Sequence, residues 1–237
     1  MRWPDFSQRS TAEELMDDSG IDGPELTQAL NQLRWINRLL AGTYPSIEGV
    51  MRLWQASGRP AQLHILDVGA GSGDHSKQLL RWAEQEHIDL HISLLDIHPQ
   101  TCALARQYYA HEPRISIQQG DFFMLKADTA DIITAALVLH HIPDQQLGTA
   151  ILVLWHAARL GVVVNDLHRH PFAWSSIWLL TRLLSGNRMI RHDAPLSVLR
   201  GFQIRDIRRL AELPGLEGLW FRWRPMFRYL IIIPRMK

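Results

Sequence analysis

Apolar runs and amphipathic stretches alternate along residues 63–166. Short, nearly continuous apolar runs are typical of strands buried on both faces of a sheet, and the stretches between them have the 3.6-residue period of helices. Regular alternation of the two elements predicts a mostly parallel sheet with helices on both faces. The predicted strands are 63–68, 91–96, 114–118, 131–138 and 160–165, and the predicted helices lie near 74–86, 99–110 and 144–158.

Two regions flank this alternating pattern. Before it, residues 24–41 and 45–56 have the spacing of amphipathic helices, and the polar stretch up to about Ser10 is expected to be loose. We predict an N-terminal helical cap over residues 1–60 and one domain over 61–237. After the pattern come a helical insertion at about 171–199, a helix at 203–213 and a closing hairpin of strands 216–223 and 227–233 around Pro225.

Composition limits the size and the setting of the protein. With 237 residues, 46% of them hydrophobic, the chain can bury one sizeable core with an added subdomain. A net charge of +1 predicts no strong attraction to nucleic acid. The single cysteine, Cys102, excludes an internal disulfide and favours a reducing cytoplasm. The longest apolar run, 172–184, is interrupted by Arg182 and is too short for a membrane span, so we expect a soluble protein.

The most informative segment is ILDVGAGSGDHS at 65–76, where a strand is followed by three glycines and a predicted helix. Gly69, Gly71 and Gly73 allow the backbone to approach a nucleotide-like ligand closely. Asp74 stands where a dinucleotide-binding fingerprint has glycine, and the lysine of a phosphate-binding loop is absent. What remains is Asp67, two residues before the first of three alternating glycines.

This arrangement resembles the first motif of class I S-adenosylmethionine-dependent methyltransferases, and the resemblance extends over about 63–166. It implies a Rossmann-like α/β fold with a seven-stranded sheet. It also implies S-adenosylmethionine as cofactor, held by Asp67 and by Gly69, Gly71 and Gly73. The N-terminal helices could serve as a lid, as a homodimer surface or as plain packing, and the resemblance slightly favours a lid.

Two further strand ends carry acidic residues in the order that the family has. Asp96, followed by Ile97, ends the second predicted strand, where a carboxylate can accept hydrogen bonds from a ribose diol. Asp121 and Phe122 follow the third strand. By resemblance, Asp121 bonds the adenine amino group and Phe122 packs on the adenine ring.

Candidate bases lie at the ends of the fourth and fifth predicted strands. A phenolic acceptor needs a base only while it keeps its proton, and histidine suits this task because its pKa lies near neutrality. We predict that His141 and His168 are catalytic and that His140 and Asp166 contact the acceptor.

The helical insertion provides the information on the acceptor. Trp174 and Trp178 are four residues apart, on one helical face, and predict a small aromatic or apolar acceptor, although plain helix packing explains them equally well. The segments NDLHRHP and DAPLSVLRGF resemble small bacterial methyltransferases of quinone and secondary-metabolite pathways. O-methylation of a phenolic or polyketide hydroxyl is the preferred reaction, and C-methylation of a quinol ring is the nearest alternative.

Other classes of function have less support. The family motif for methylation of nucleic-acid bases, Asn/Asp-Pro-Pro-Tyr/Phe, is absent after the fourth strand, and a nicotinamide oxidoreductase is disfavoured by Asp74 and by the missing Tyr-x-x-x-Lys pair. No histidine or cysteine set has structural-zinc spacing, so we predict no metal. A non-catalytic subunit that binds the cofactor stays an open alternative.

Overall fold

The structure is a computed structural model that describes residues 3–17, 28–29, 31–32, 35–36, 40, 42–73 and 75–235. Its strands are β1 (Gln62–Val68), β2 (Asp89–Asp96), β3 (Ile115–Gln119), β4 (Ala130–Ala136), β5 (Ala158–Leu167), β6 (Trp220–Arg224) and β7 (Arg228–Pro234). They form one sheet in the order β3-β2-β1-β4-β5-β7-β6. The first five strands are parallel, and β7 runs antiparallel to β5 and β6. The predicted seven-stranded, mostly parallel sheet is confirmed.

Helices cover both faces of this sheet. Those with described ends are α1 (Tyr44–Ala56), α2 (Ser76–Gln85), α3 (Pro99–Tyr108), α4 (Asp144–Ala157), α5 (Pro171–Leu184), α6 (Arg188–Arg200) and α7 (Ile204–Ala211). Neighbouring residues of a strand point to opposite faces. Ile65 of β1 therefore joins a core with α1, α2 and α3, whereas Leu66 joins a second core with α4 and α7. No helix of the described residues is long and apolar enough to cross a membrane.

The carboxyl ends of β1 and β4 define the place where a ligand can bind. These two strands are neighbours, and the chain continues from them toward opposite edges of the sheet. Such a switch of direction leaves a crevice outside the strand ends, and ligands of open α/β sheets bind there. The glycine loop at 69–73 and the segments after β4 and β5 all lie at this crevice.

The N-terminal residues 3–17, here called the N-terminal strap, are held against the domain. The Arg9 guanidinium is almost fully buried and donates to the carbonyls of Arg200 and His140 at 2.7 and 2.8 Å. The Ser10 N–H donates to the Leu199 carbonyl at 3.1 Å. The prediction of a loose stretch up to Ser10 is therefore wrong around Arg9, because carbonyl groups from distant parts of the chain fix its side chain.

The other predicted helices differ in how far they can be checked. The helix predicted at 45–56 is α1, and the predicted insertion consists of α5 and α6. The helix predicted at 24–41 lies largely outside the described residues, although 28–29, 31–32 and 35–36 are helical. The division into a cap over 1–60 and a domain over 61–237 stays a prediction.

Candidate active site

The loop between β1 and α2 is shaped by its glycines. Gly69, Gly71 and Gly73 have φ angles of 57°, 56° and 72°, in the left-handed region that favours glycine. A Cβ at Gly69 would lie 2.5 Å from Val138 Cγ2, and one at Gly73 would lie 2.7 Å from Leu94 Cδ1. A Cβ at Gly71 would meet nothing within 4 Å. Gly69 and Gly73 are therefore needed for packing, whereas Gly71 leaves open space beside the loop.

Asp67 lies at the start of this loop and is buried. Its Oδ1 accepts a hydrogen bond from Thr134 Oγ1 at 2.7 Å and lies 3.3 Å from His75 Nε2. Its Oδ2 is buried and has no hydrogen-bond partner within the described part of the chain. Because a buried acceptor without a partner is costly, Oδ2 is suited to accept a hydrogen bond from a ligand at the loop.

Asp96, at the end of β2, forms hydrogen bonds with both the glycine loop and the turn that follows β2. Its Oδ2 accepts the Gly71 N–H and its Oδ1 accepts the His98 N–H, each at 2.9 Å. A carboxylate oxygen has lone pairs for more than one donor. Asp96 can therefore accept from a diol while it keeps the loop in place, beside the exposed side chain of Ile97.

Asp121 and the two phenylalanines after it form the next part of the site. Asp121 Oδ1 accepts the Phe123 N–H at 2.9 Å, which caps the short 3-10 helix Phe122–Met124. The rings of Phe122 and Phe123 are stacked, with centroids 4.5 Å apart. A flat apolar surface thus lies next to a carboxylate, a combination that suits an aromatic ring with a hydrogen-bond donor.

A cavity of about 560 Å³ connects these groups with the ends of β4 and β5. Small-molecule sites commonly have volumes of about 300–1,000 Å³. The lining on the loop side includes Asp67, Gly69, Gly71, Asp96, Ile97, Asp121 and Phe122. The lining on the far side includes Glu14, His140, His141, Leu167, Ile177 and Arg228. Gly73 shapes the loop and does not line the cavity.

His140 and Asp166 form a buried hydrogen-bonded pair. His140 Nδ1 lies 2.7 Å from Asp166 Oδ1, and the His140 backbone N–H donates to Asp166 Oδ2 at 3.2 Å. Burial alone would raise the pKa of Asp166, but the charge and hydrogen bond of His140 and the Leu167 N–H hold it below its ordinary value. An ionised carboxylate only accepts, so Nδ1 is the donor of this hydrogen bond, and Nε2 carries the lone pair whenever the imidazole is neutral.

Glu14 of the N-terminal strap faces the other side of His140. Its buried Oε1 accepts from Ser197 Oγ at 2.9 Å and lies 3.8 Å from His140 Nε2 and 3.9 Å from Arg200 Nη1. The buried carboxylate of Asp193 accepts the N–H groups of the two residues after Glu14, at 2.8 and 2.9 Å. Asp193 and Ser197, which are far from the strap along the chain, thus position the Glu14 carboxylate in the cavity.

The comparison with known families identifies the domain. Residues 65–174 match a family model described as a methyltransferase domain. The chain contains a methyltransferase domain. The methyltransferase resemblance deduced from the sequence is confirmed over these residues. Among curated proteins no relative matches the chain.

Solved structures of methyltransferases share the fold. The plantazolicin methyltransferase BpumL, in complex with S-adenosylhomocysteine, matches with a TM-score of 0.69 and 11% identity over 94% of each chain. A putative S-adenosyl-L-methionine-dependent methyltransferase from Methanococcus maripaludis matches at 0.60 and 17%, over 93% of this chain and 98% of the other. The magnesium protoporphyrin IX methyltransferase from Synechocystis PCC 6803, with bound SAM, matches at 0.54 and 17%, over 83% and 81%. At these identities the likeness shows the fold alone.

The two histidines predicted to be catalytic in the methyltransferase domain lie in different surroundings. His141 lines the cavity, and its ring lies 4.1 Å from that of His140. His168 is not among the described residues that line the cavity, and it packs between Tyr229 and His170, with centroids 4.9 and 5.2 Å away. Burial lowers the pKa of His168 to about 4, with smaller contributions from His170 and Arg169. The catalytic role of His168 stays a prediction, without support from its position.

Trp174, Trp178 and Asp166, predicted to contact the acceptor, are not among the described residues that line the cavity. The Trp174 ring meets Trp3 of the N-terminal strap edge-on, with centroids 5.8 Å apart. The Trp178 ring carries the Arg182 guanidinium 3.9 Å from its centroid. Contacts of Trp174 and Trp178 with an acceptor stay predictions, and the packing shown here is with protein groups.

Glu14, His140 and His141 each offer a ligand atom, and these atoms lie within 4.8 Å of one another. Two observations disfavour a metal ion there. Ser197 already donates to Glu14 Oε1. The guanidinium of Arg200 lies nearby, and positive charge repels a cation. The absence of a metal stays a prediction.

Sequence reasoning missed several groups that line the cavity. Glu14 lies in a polar stretch with no recognisable motif, and Ile177 and Arg228 belong to no motif of the sequence. The structure buries Arg228 in β7. Burial lowers the pKa of Arg228 to about 10, and the charge of Asp166 opposes this shift, so Arg228 remains a cation at neutral pH.

Proposed function

We propose that the protein transfers the methyl group of S-adenosylmethionine to a phenolic hydroxyl of a small, largely apolar acceptor. The cofactor would be held by Asp67, Gly69, Gly71, Gly73, Asp96, Ile97, Asp121 and Phe122. The unpaired Oδ2 of Asp67 and the open space beside Gly71 support this assignment. S-adenosylmethionine supplies an electrophilic methyl group bound to a sulfonium.

Methyl transfer is an in-line displacement, so the protein has to align two reactants and exclude water. The cavity supports this because one space joins the glycine loop to the histidines after β4. On the histidine side, Ile36, Ile142, Leu167, Ile177 and Val198 add apolar lining. An aromatic acceptor fits these apolar walls, and Glu14, His140, His141 and Arg228 provide the polar groups on the same side.

The observation that carries the proposed mechanism is the 2.7 Å contact between His140 Nδ1 and Asp166 Oδ1. A carboxylate at one nitrogen of a histidine fixes the tautomer and stabilises the imidazolium that forms when the other nitrogen takes a proton. We therefore assign the base to His140 in place of His141 and His168, with Asp166 as the positioning residue. A hydroxyl between His140 and the glycine loop would lose its proton to Nε2.

Calorimetry with S-adenosylmethionine and S-adenosylhomocysteine, with NADH as control ligand, tests the cofactor. We expect binding of the two sulfur ligands and none of NADH. Binding of NADH alone, or of no ligand, would overturn the assignment of the cofactor site.

Turnover of phenols and quinols tests the base. His140→Gln should lower turnover by about 10²–10⁴-fold, the usual contribution of a general base, with an unchanged affinity for S-adenosylhomocysteine. His156→Gln is the matched control, since His156 is exposed on α4. Turnover of His140→Gln equal to that of the parent would refute the role of His140. NMR of the product separates O-methylation from methylation of a ring carbon.

A further inference from the structure

His140 has a carboxylate near each of its ring nitrogens. Asp166 Oδ1 lies 2.7 Å from Nδ1, and Glu14 Oε1 lies 3.8 Å from Nε2. None of the three residues is more than 5% exposed. Charges in such buried surroundings interact more strongly than charges at a surface. Asp166 has a role in the proposed mechanism, whereas Glu14 has none so far.

The Glu14 carboxylate is held by polar groups of α6. Ser197 Oγ donates to Oε1 at 2.9 Å, and Arg200 Nη1 lies 3.9 Å from the same oxygen. Arg200 in turn donates to the carbonyls of His140 and His141, at 3.2 and 2.9 Å. A hydrogen-bond donor and a nearby cation both favour the ionised form of a carboxylate. Glu14 is therefore suited to carry a fixed negative charge beside His140.

This charge lies where a positive charge would form during proton transfer. The distance of 3.8 Å is too long for a hydrogen bond, so Glu14 does not hydrogen-bond to Nε2. Glu14 and His140 line the same cavity, from which a hydroxyl can approach Nε2. A ring that takes a proton at Nε2 becomes a cation, and attraction to Glu14 lowers the free energy of that cation.

We propose that Glu14 is a positioning residue for the base, whose negative charge stabilises the imidazolium that forms when His140 removes the proton of the acceptor hydroxyl. In this step the O–H bond of the acceptor breaks, its electron pair stays on oxygen, and the proton forms a bond to Nε2. The proton leaves to solvent after the methyl group has been transferred, so His140 returns to its neutral form. The role of Glu14 rests on the proposed function, because it needs His140 as base.

Arg200 makes the effect of removing Glu14 larger. Its guanidinium lies near His140 and disfavours a cation on the ring, and Glu14 compensates part of this charge in the parent protein. A neutral side chain in place of Glu14 removes a stabilising charge and leaves a destabilising one. Both changes act in the same direction, against the imidazolium.

A double-mutant cycle tests the proposal. Glu14→Gln removes the charge but keeps the size of the side chain and an oxygen that can accept from Ser197. The kcat for 4-methylphenol, followed as formation of S-adenosylhomocysteine, should fall by about 2- to 150-fold, the usual range of coupling within one charged network. The loss should be smaller than that of His140→Gln. In the His140→Gln background, Glu14→Gln should cause no further loss, because its effect requires the imidazolium. A purely structural Glu14 would lower kcat by the same factor in both backgrounds.

An acceptor that has already lost its proton gives a second readout. At about pH 8, 4-methylphenol keeps its proton as tyrosine does, whereas 4-nitrophenol is largely ionised. Glu14→Gln should therefore lower kcat for 4-methylphenol and should not lower it for 4-nitrophenol. A loss of equal size with both phenols would contradict a role in proton transfer.

Glu13→Gln is the matched control, because Glu13 is exposed on the same N-terminal strap and should leave kcat unchanged. Thermal unfolding and the affinity for S-adenosylhomocysteine show whether each variant is folded. If Glu14→Gln does not fold, Glu14→Asp keeps the charge but draws it away from His140, and it should show a smaller loss with the same dependence on His140.

The possible failures can be told apart. Equal kcat of Glu14→Gln and the parent, or equal factors in the two backgrounds, would overturn the role of Glu14 and leave His140 as the base. A loss as large as that of His140→Gln would also overturn it, because Glu14 would then act as a base itself. Unchanged kcat of His140→Gln, or methyl transfer to neither phenol, would overturn the proposed function and the role of Glu14 with it.

Discussion

Gly71→Ala separates the conformational role of the glycine loop from its contact with the ligand. Gly71 has φ 56°, and an alanine in the left-handed region costs about 1–2 kcal/mol. Its Cβ would meet no protein atom within 4 Å, so the free energy of unfolding should fall by little more than this strain. Gly71 lines the cavity, however, and its new methyl group would occupy space proposed for the cofactor. An overpacked contact costs about 1–3 kcal/mol, which corresponds to a roughly 5- to 150-fold loss of affinity.

Two companion variants divide this effect into its parts. Gly58→Ala introduces the same strain at φ 82°, again with nothing within 4 Å, but Gly58 lies in the turn after α1. It should match Gly71→Ala in stability and bind ligand like the parent. Gly69→Ala adds a Cβ that lies 2.5 Å from Val138 Cγ2, so strain and overpacking together should lower the free energy of unfolding by about 2–5 kcal/mol.

Urea unfolding and calorimetry with S-adenosylhomocysteine measure the two quantities separately. The expected pattern is a small loss of stability with a large loss of affinity for Gly71→Ala, and a large loss of stability for Gly69→Ala. Equal affinities of Gly71→Ala and Gly58→Ala would refute the contact of the loop with the cofactor. Equal stabilities of Gly69→Ala and Gly71→Ala would refute the packing against Val138.

Three further predictions concern single groups. Asp67→Asn keeps an oxygen that accepts the hydrogen bond of Thr134, but it replaces the unpaired oxygen by an N–H donor. Calorimetry should therefore show at least roughly tenfold weaker cofactor binding, because the cofactor loses a hydrogen bond to a charged group. His168 has a folded pKa of about 4, below its ordinary 6.5, so it stabilises the fold fully above pH 6.5 and this contribution is lost as the pH falls toward 4. Because the ring is half exposed, solvent screens part of this effect. Between pH 6.5 and 4, the free energy of unfolding measured with urea should change by about 1–2 kcal/mol less in His168→Gln than in the parent. Arg9→Gln removes donors from buried carbonyls at a cost of about 1–3 kcal/mol, and limited proteolysis should then cut the N-terminal strap faster.

The sheet and most helices could be predicted because each is indicated by the pattern of apolar residues within one short segment. Strands such as β1 and β4 are nearly continuous apolar runs that are buried over most of their length, as expected for strands covered on both faces. The start of β6 was harder to place, since the strand begins at Trp220 and not at 216. Leu216 is apolar and buried, but it packs into the core from the turn before the strand. Burial alone therefore does not distinguish a strand residue from a turn residue.

The site was predictable where one loop or one strand end carries it. Asp67 and Asp96 each lie at the carboxyl end of a strand that ends at the crevice. Glu14 could not be found in this way, because its position depends on Asp193 and Ser197, which are about 180 residues away along the chain. Spacing in the sequence contains no information about such a contact.

The choice among the three histidines illustrates the same limit. In the sequence, His140, His141 and His168 each follow a predicted strand that ends at the crevice, and the sequence alone led us to predict His141 and His168 as catalytic. In the structure, Asp166 binds both the ring and the backbone N–H of His140, while Arg9 and Arg200 donate to its carbonyl. Its ring and backbone are therefore fixed before any acceptor arrives, as catalysis by a positioned base requires. Because Arg9 belongs to the N-terminal strap, which also lines the cavity through Glu14 and Met16, the strap helps to fix the base proposed here.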